Sequence, residues 1–137
     1  MFSSNGAYVT KWGTYGSDNG QLFGPSGVAV DDSGNVYVAD EGNNRVEESS
    51  YIGTYIDQFG RFGSGNVQLG SPQAVAVDGN GNIYVSDTQN NRVEVFQSSS
   101  NFVMPEYSLG ALAALISTFV AFGAFVMRRK WLHSSPP

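Results

Sequence analysis

The chain has 137 residues, no cysteine, one histidine and a formal net charge of −5. The missing thiol excludes disulfides, thiolate catalysis and cysteine-based zinc sites. The acidic balance argues against nucleic-acid binding, which needs a basic footprint, and 17 glycines suit a β-protein with many tight turns.

In chain order, Met1 to Gly6 carries neither the basic nor the apolar region of a signal peptide. Ala7–Trp12 alternates as a strand does, and Thr54–Phe59 repeats its pattern. From Trp12 onward the chain repeats itself at a period of 47 residues. Trp12–Ser49 aligns without a gap on Phe59–Phe96, with 21 identities in 38 positions. A period of this length signals one supersecondary unit that needs neighbours to bury its apolar face. Within each unit, Val28–Val30 and Val75–Val77 are short apolar runs ending at Asp31 and Asp78. Gly- and Asn-rich turns follow, and such residues tolerate the positive φ of tight hairpins. Val36–Val38 and Ile83–Val85 supply second strands of β-branched and aromatic residues. Loops holding Asn43-Asn44 and Asn90-Asn91 lead to third strands at Arg45 and Arg92, and Thr54–Phe59 makes a fourth. Four short antiparallel strands in 40–50 residues is the strand count of a propeller blade. Where the second unit ends its third strand with Val95-Phe96, the first has Glu48-Ser49. A frayed strand end or a local lesion is the expectation there.

The segments GPSGVAVDDSGNVYVADEGNNRVEE and GSPQAVAVDGNGNIYVSDTQNNRVEVF resemble NHL repeats, the blades of a mostly six-bladed β-propeller. KWGTYGSDNGQ and QFGRFGSGNVQ resemble the linkers between such blades. The expected fold over residues 1–102 is therefore all-β: a partial propeller of two four-stranded antiparallel blades, at about 12–58 and 59–97. An extra outer strand is expected near residues 7–12. Two blades do not close a ring. The resemblance implies either the C-terminal piece of a longer propeller or a short chain that oligomerises to complete one.

Residues 103–108 read as a linker, and Leu109–Met127 is a run of 19 residues without a charge. As a helix it would be about 29 Å long, enough for a bilayer core of ~30 Å. The expectation is one C-terminal transmembrane α-helix over 109–127, contacting membrane lipid. Arg128, Arg129 and Lys130 follow at once, and a basic cluster predicts a cytoplasmic tail at 128–137. All 12 acidic residues lie at or before Glu106. Pro105, Glu106 and Tyr107, then the apolar run, then the basic cluster resemble the PEF-CTERM type of sorting signal. That resemblance implies recognition by an archaeosortase-like enzyme, cleavage near the motif and transfer to a surface anchor. Tyr107 in place of the usual Phe, and a tail running on from Trp131 to Pro137, depart from the pattern. A plain single-span anchor is the alternative.

The search for chemistry finds no catalytic, cofactor-binding or metal-binding residue to nominate. His133 is the only histidine and follows the apolar run. Asp31, Asp40, Asp78 and Asp87 suit a hard cation by donor type. They recur in each unit, however, and a residue repeated in every blade usually serves the blade. Arg45 and Arg92 then read as structural partners of a blade Asp or a loop carbonyl. Gly79–Asn82 joins two strands and is no phosphate loop, since no helix follows to receive an anion. The expected function is a surface-displayed binding module, not an enzyme in itself, taking a protein or glycan on its loops. Its specificity would sit at the non-repeated loop positions, Glu41-Gly42 against Thr88-Gln89 and Asp32-Ser33 against Gly79-Asn80. Two alternatives stand beside it: a piece of a lyase- or hydrolase-type propeller whose active-site residues lie in other blades, and a structural cell-envelope component.

Overall fold

A computed structural model describes residues 1–98. Strands β1 (Thr14–Tyr15) and β2 (Gln21–Leu22) form a small parallel pair. The first large sheet holds β3 (Pro25–Val30), β4 (Val36–Asp40), β5 (Arg45–Ser49) and β6 (Tyr55–Phe59), antiparallel and in sequence order. The second holds β7 (Pro72–Val77), β8 (Asn82–Asp87) and β9 (Arg92–Gln97), built the same way. This is consistent with two partial propeller blades. A fourth strand for the second sheet would fall near 102–106, outside the described residues. So do the expected membrane helix at 109–127, the linker at 103–108 and the tail at 128–137. Among the described residues no helix is long and apolar enough to cross a membrane.

The hairpin turns explain the strand ends. Asp31 Oδ1 accepts from the backbone N–H of Ser33 and Asn35, and Asp78 Oδ1 accepts from Asn80 and Asn82. Each carboxylate thereby organises the turn that joins two strands. At the other end of β4 and β8 the chain makes one 3-10 turn, Glu41–Asn43 and Thr88–Asn90. Each turn ends on an asparagine in the left-handed region, Asn44 at φ 52° and Asn91 at φ 53°. Asparagine tolerates that conformation better than a bulkier residue does.

The core lies between the two large sheets. Strand pairing sets Tyr37, Ala39, Val46 and Phe59 on one face of the first sheet. Val75, Val77, Ile83, Val85 and Phe96 share one face of the second. Tyr37, Val46, Ile83, Val85 and Phe96, with Leu69 from the connecting segment, form one buried cluster, and the half-buried Phe59, Val75 and Val77 pack against it. Burying a side chain of this size contributes roughly 1.5–3 kcal/mol. The inner strands approach closely, since a Cβ on Gly27 would stand 2.7 Å from the carbonyl oxygen of Gln73.

Two expectations need correction. Residues 7–12 do not form an outer strand. The segment instead folds back on Met1–Gly6 and spends its backbone bonds there, with a single bridge between Phe2 and Tyr8 and a turn over Ser3–Gly6. Nor does the first sheet fray at Glu48-Ser49. All five residues of β5 are buried, and Glu48 is fully so. Its carboxylate accepts from the Tyr37 hydroxyl at 3.1 Å and from the Ser98 hydroxyl at 3.0 Å. A polar partner from the second repeat thus occupies what looked like a hole in the apolar pattern.

Candidate functional site

The residues with metal-ligand chemistry resolve first. Asp40 is fully buried and accepts from Arg45 Nε at 2.9 Å, Asn43 Nδ2 at 2.7 Å and the Phe23 N–H at 2.7 Å. Arg45 continues to Glu47 at 3.0 Å and to the carbonyls of Ser17, Asp18 and Gln21. One guanidinium therefore ties the linker loop to the sheet through its fixed fork of donors. Asp87, Asn90, Arg92 and Glu94 repeat this arrangement with the carbonyls of Ser64, Gly65 and Gln68. Burial alone would raise the Asp87 carboxyl. The Gly70 N–H, Asn90 and Arg92 outweigh it and hold the group below its ordinary value. For Glu47 burial wins, and its carboxyl is pushed up despite the Gly20 N–H and Arg45. These carboxylates are spoken for by turns, N–H groups and arginines. Among the described residues no group of three or more His, Cys, Asp or Glu side chains could hold a metal ion.

The non-repeated loop positions divide. Asp32-Ser33 and Gly79-Asn80 sit in the β3–β4 and β7–β8 turns. Glu41-Gly42 and Thr88-Gln89 sit in the 3-10 turns at the opposite end of the strands. At this second end Glu41, Gly42 and Gln89 line a groove of about 360 Å³ with Phe23, Asn44, Phe62 and Ser71. Backbone bonds hold its walls. Gly42 N–H donates to the Phe23 carbonyl at 2.7 Å, and Gln89 N–H to Gly70 at 2.9 Å. Asn44 Oδ1 accepts from the Ser71 N–H at 2.9 Å and so bridges the two repeats across the groove floor. Gly42 is required there, because a Cβ would lie 2.5 Å from the Phe23 carbonyl oxygen.

Phe23 and Phe62 were not visible as site residues in the sequence. The signal was a mismatch between the repeats. In the first, Tyr15 meets Phe23 edge-on with ring centroids 5.2 Å apart. In the second, the equivalents are Phe62 and Gly70, so the phenyl ring lacks that aromatic neighbour, and it is exposed. The groove thus offers two aromatic rings, the Glu41 carboxylate, amides from Asn44 and Gln89, and a hydroxyl from Ser71. Such a set suits reversible binding of a segment with apolar and donor groups. Pro105, Glu106 and Tyr107, the cluster Arg128, Arg129 and Lys130, and His133 lie outside the described residues.

An all-β repeat chain with paired Asp–Arg corners is the class that fold and site define. The family model described as the NHL repeat matches residues 24–47 and 69–96, so NHL repeats stand in both halves of the described region. The first match stops one residue short of Glu48, where the repeats diverge. No curated protein matches the chain.

Proposed function

We propose that this chain is a membrane-anchored, surface-displayed interaction module that takes a protein segment or glycan in the groove between its two repeats. NHL repeats in sheets of this kind suggest a protein-interaction module. The observation that carries the reading is convergence. The positions that differ between otherwise matching repeats, Glu41, Gly42, Gln89, Phe23 and Phe62, meet at one groove. The corner residues Asp40, Asn43, Arg45 and Glu47 recur in the second repeat, whereas these five groove positions do not. The chemistry on offer is recognition, and the proposal assigns no catalytic residue to these two repeats.

Anchoring rests on sequence. The apolar run 109–127 would place the chain in the bilayer, with Arg128, Arg129 and Lys130 on the cytoplasmic side. Pro105, Glu106 and Tyr107 would mark the point at which an archaeosortase-like enzyme transfers the repeats to a surface anchor.

Peptide-display selection on the full chain tests the groove. Enriched peptides should lose at least about tenfold in affinity, some 1.4 kcal/mol, against Phe62→Ala or Glu41→Ala. Asp32→Ala, at the opposite end of the strands, should leave binding unchanged. Binding that ignores all three substitutions would remove the groove from consideration.

A further inference from the structure

Each large sheet has two faces, and among the described residues each packs one of them against the other sheet. The first sheet packs its Tyr37–Val46 face on the Val75–Val77–Ile83–Val85 face of the second. What remains is the other face of each. On the first sheet, Val28 and Val30 are 65% and 60% exposed, above a cleft of about 420 Å³ lined by Trp12, Leu22, Val36 and Val38. On the second, Tyr84, Val93 and Val95 are 39%, 64% and 53% exposed.

The 47-residue register identifies these two faces. Val28 and Val30 correspond to Val75 and Val77, and Tyr84 and Val93 correspond to Tyr37 and Val46. The exposed faces are therefore the two halves of the contact that the molecule already makes internally. We infer that a second copy of this chain docks head to tail, placing its Val28–Val30 face on the Tyr84–Val93–Val95 face of the first.

A further correspondence points to a copy as the occupant. The internal contact is locked by Glu48 against the Ser98 hydroxyl. Their equivalents are Val95 and Tyr51, the latter 63% exposed. A polar pair inside is thus exchanged for an apolar–aromatic pair outside, and both members change together although they lie on different sheets. A docked copy brings Tyr51 to Val95, as the fold brings Ser98 to Glu48. One difference weakens the outer contact. Ala74 stands where Gly27 permits the closest approach of inner strands. Contacts of this heterologous type build rings or filaments, since each copy keeps one face of each kind to offer.

The test uses the full chain in mild detergent and measures mass by light scattering. At about 100 µM a contact with Kd near 10 µM is mostly formed, so the wild-type chain should exceed monomer mass. Val30→Glu blocks one face and Val95→Glu the other. Each variant alone should associate at least about 100-fold more weakly, because a charge would be buried without a partner. Mixed in equal amounts, the two should form a 1:1 complex, since each retains the face the other lost. A monomeric wild-type chain overturns the inference, as does association that survives either substitution alone. Should the charged variants fail to fold, cysteines decide, as the native chain has none. Under mild oxidation, mixed Tyr51→Cys and Val95→Cys chains should cross-link to each other in preference to themselves. Random pairing would count against the contact.

Discussion

Arg45 and Arg92 hold the same place in the two repeats, yet the first side chain is 7% exposed and the second 30%. Their local partners match almost bond for bond: an aspartate on Nε, a glutamate two residues on, and three linker carbonyls. Arg45 has a further contact from the fourth strand of its sheet. Gln58 on β6 reaches over Arg45 and accepts from Nη1 at 2.7 Å. By sequence the equivalent in the second repeat is Pro105, which lies outside the described residues. Identical motifs fold to nearly identical local geometry, while the two arginines differ in burial.

Removing the carboxylate of each corner breaks this comparison most strongly. Asp40→Ala strands a buried guanidinium and the Phe23 N–H, and should cost about 3–5 kcal/mol. Asp87→Ala leaves an arginine that water partly reaches, and should cost less, about 2–3 kcal/mol. Urea unfolding of both variants measures the gap, and equal costs would show that Gln58 adds nothing to the first corner.

The second contrast is Glu48 against Val95. Copying the second repeat into the first, Glu48→Val, removes the acceptor of the Ser98 hydroxyl, leaves Tyr37 its bond to Asp31 at 2.9 Å, and should destabilise by about 1–3 kcal/mol. Burial holds the Tyr37 phenol far above its ordinary value, so this hydroxyl remains a donor throughout the usable pH range. Adding Ser98→Ala to Glu48→Val deletes both members of the pair and should recover part of the loss. A single variant more stable than wild type would restore the reading of Glu48 as a lesion.

That residue also marks where sequence reasoning stopped. The strands, their order and their turns were legible because alternation and Asp-Gly-Asn chemistry are local. The corner Asp–Arg pairing was legible because it recurs. Ser98 lies beyond the aligned window, so nothing in the repeat comparison announced a partner for Glu48. The groove stayed hidden for a related reason. Phe23, Phe62 and Gln89 are brought together by the packing of one repeat on the next, and no spacing within a repeat encodes that. The failed outer strand at 7–12 shows the opposite error: a strand-like pattern does not make a strand unless an edge is there to receive it.

Close approach of the inner strands gives a smaller test. Gly27→Ala puts a methyl 2.7 Å from a backbone oxygen of the facing strand. Backbone yields less readily than a side-chain tip, so a cost of about 1–3 kcal/mol is expected. Ala74→Gly, the converse change on the second sheet, relieves no contact inside the chain. It should cost at most about 1 kcal/mol, through lost strand propensity. Thermal melts of the two variants should therefore separate clearly.

Acid titration resolves the smallest effects, and two groups pull in opposite directions. The Asn82 side chain and backbone N–H hold the Asp78 carboxyl at about 2, below its ordinary 3.8. A depressed carboxyl stabilises the fold fully above its unfolded value, and the contribution is lost as pH falls from about 4 through about 2. The Asp87 carboxyl, also held low, acts in the same sense. Glu47 is the reverse case, raised above 4.5 by burial. Its contribution is fully present below 4.5 and declines as pH rises through the folded value. Asp78→Asn should therefore flatten the loss of stability between about pH 4 and 2, while Glu47→Gln should flatten the decline above pH 4.5. Urea midpoints measured from pH 2 to 7 separate the two limbs. An unchanged acid limb in Asp78→Asn would mean that the second turn binds its proton no differently from the unfolded chain, and that its ladder of hydrogen bonds to Asn80 and Asn82 does not persist in solution.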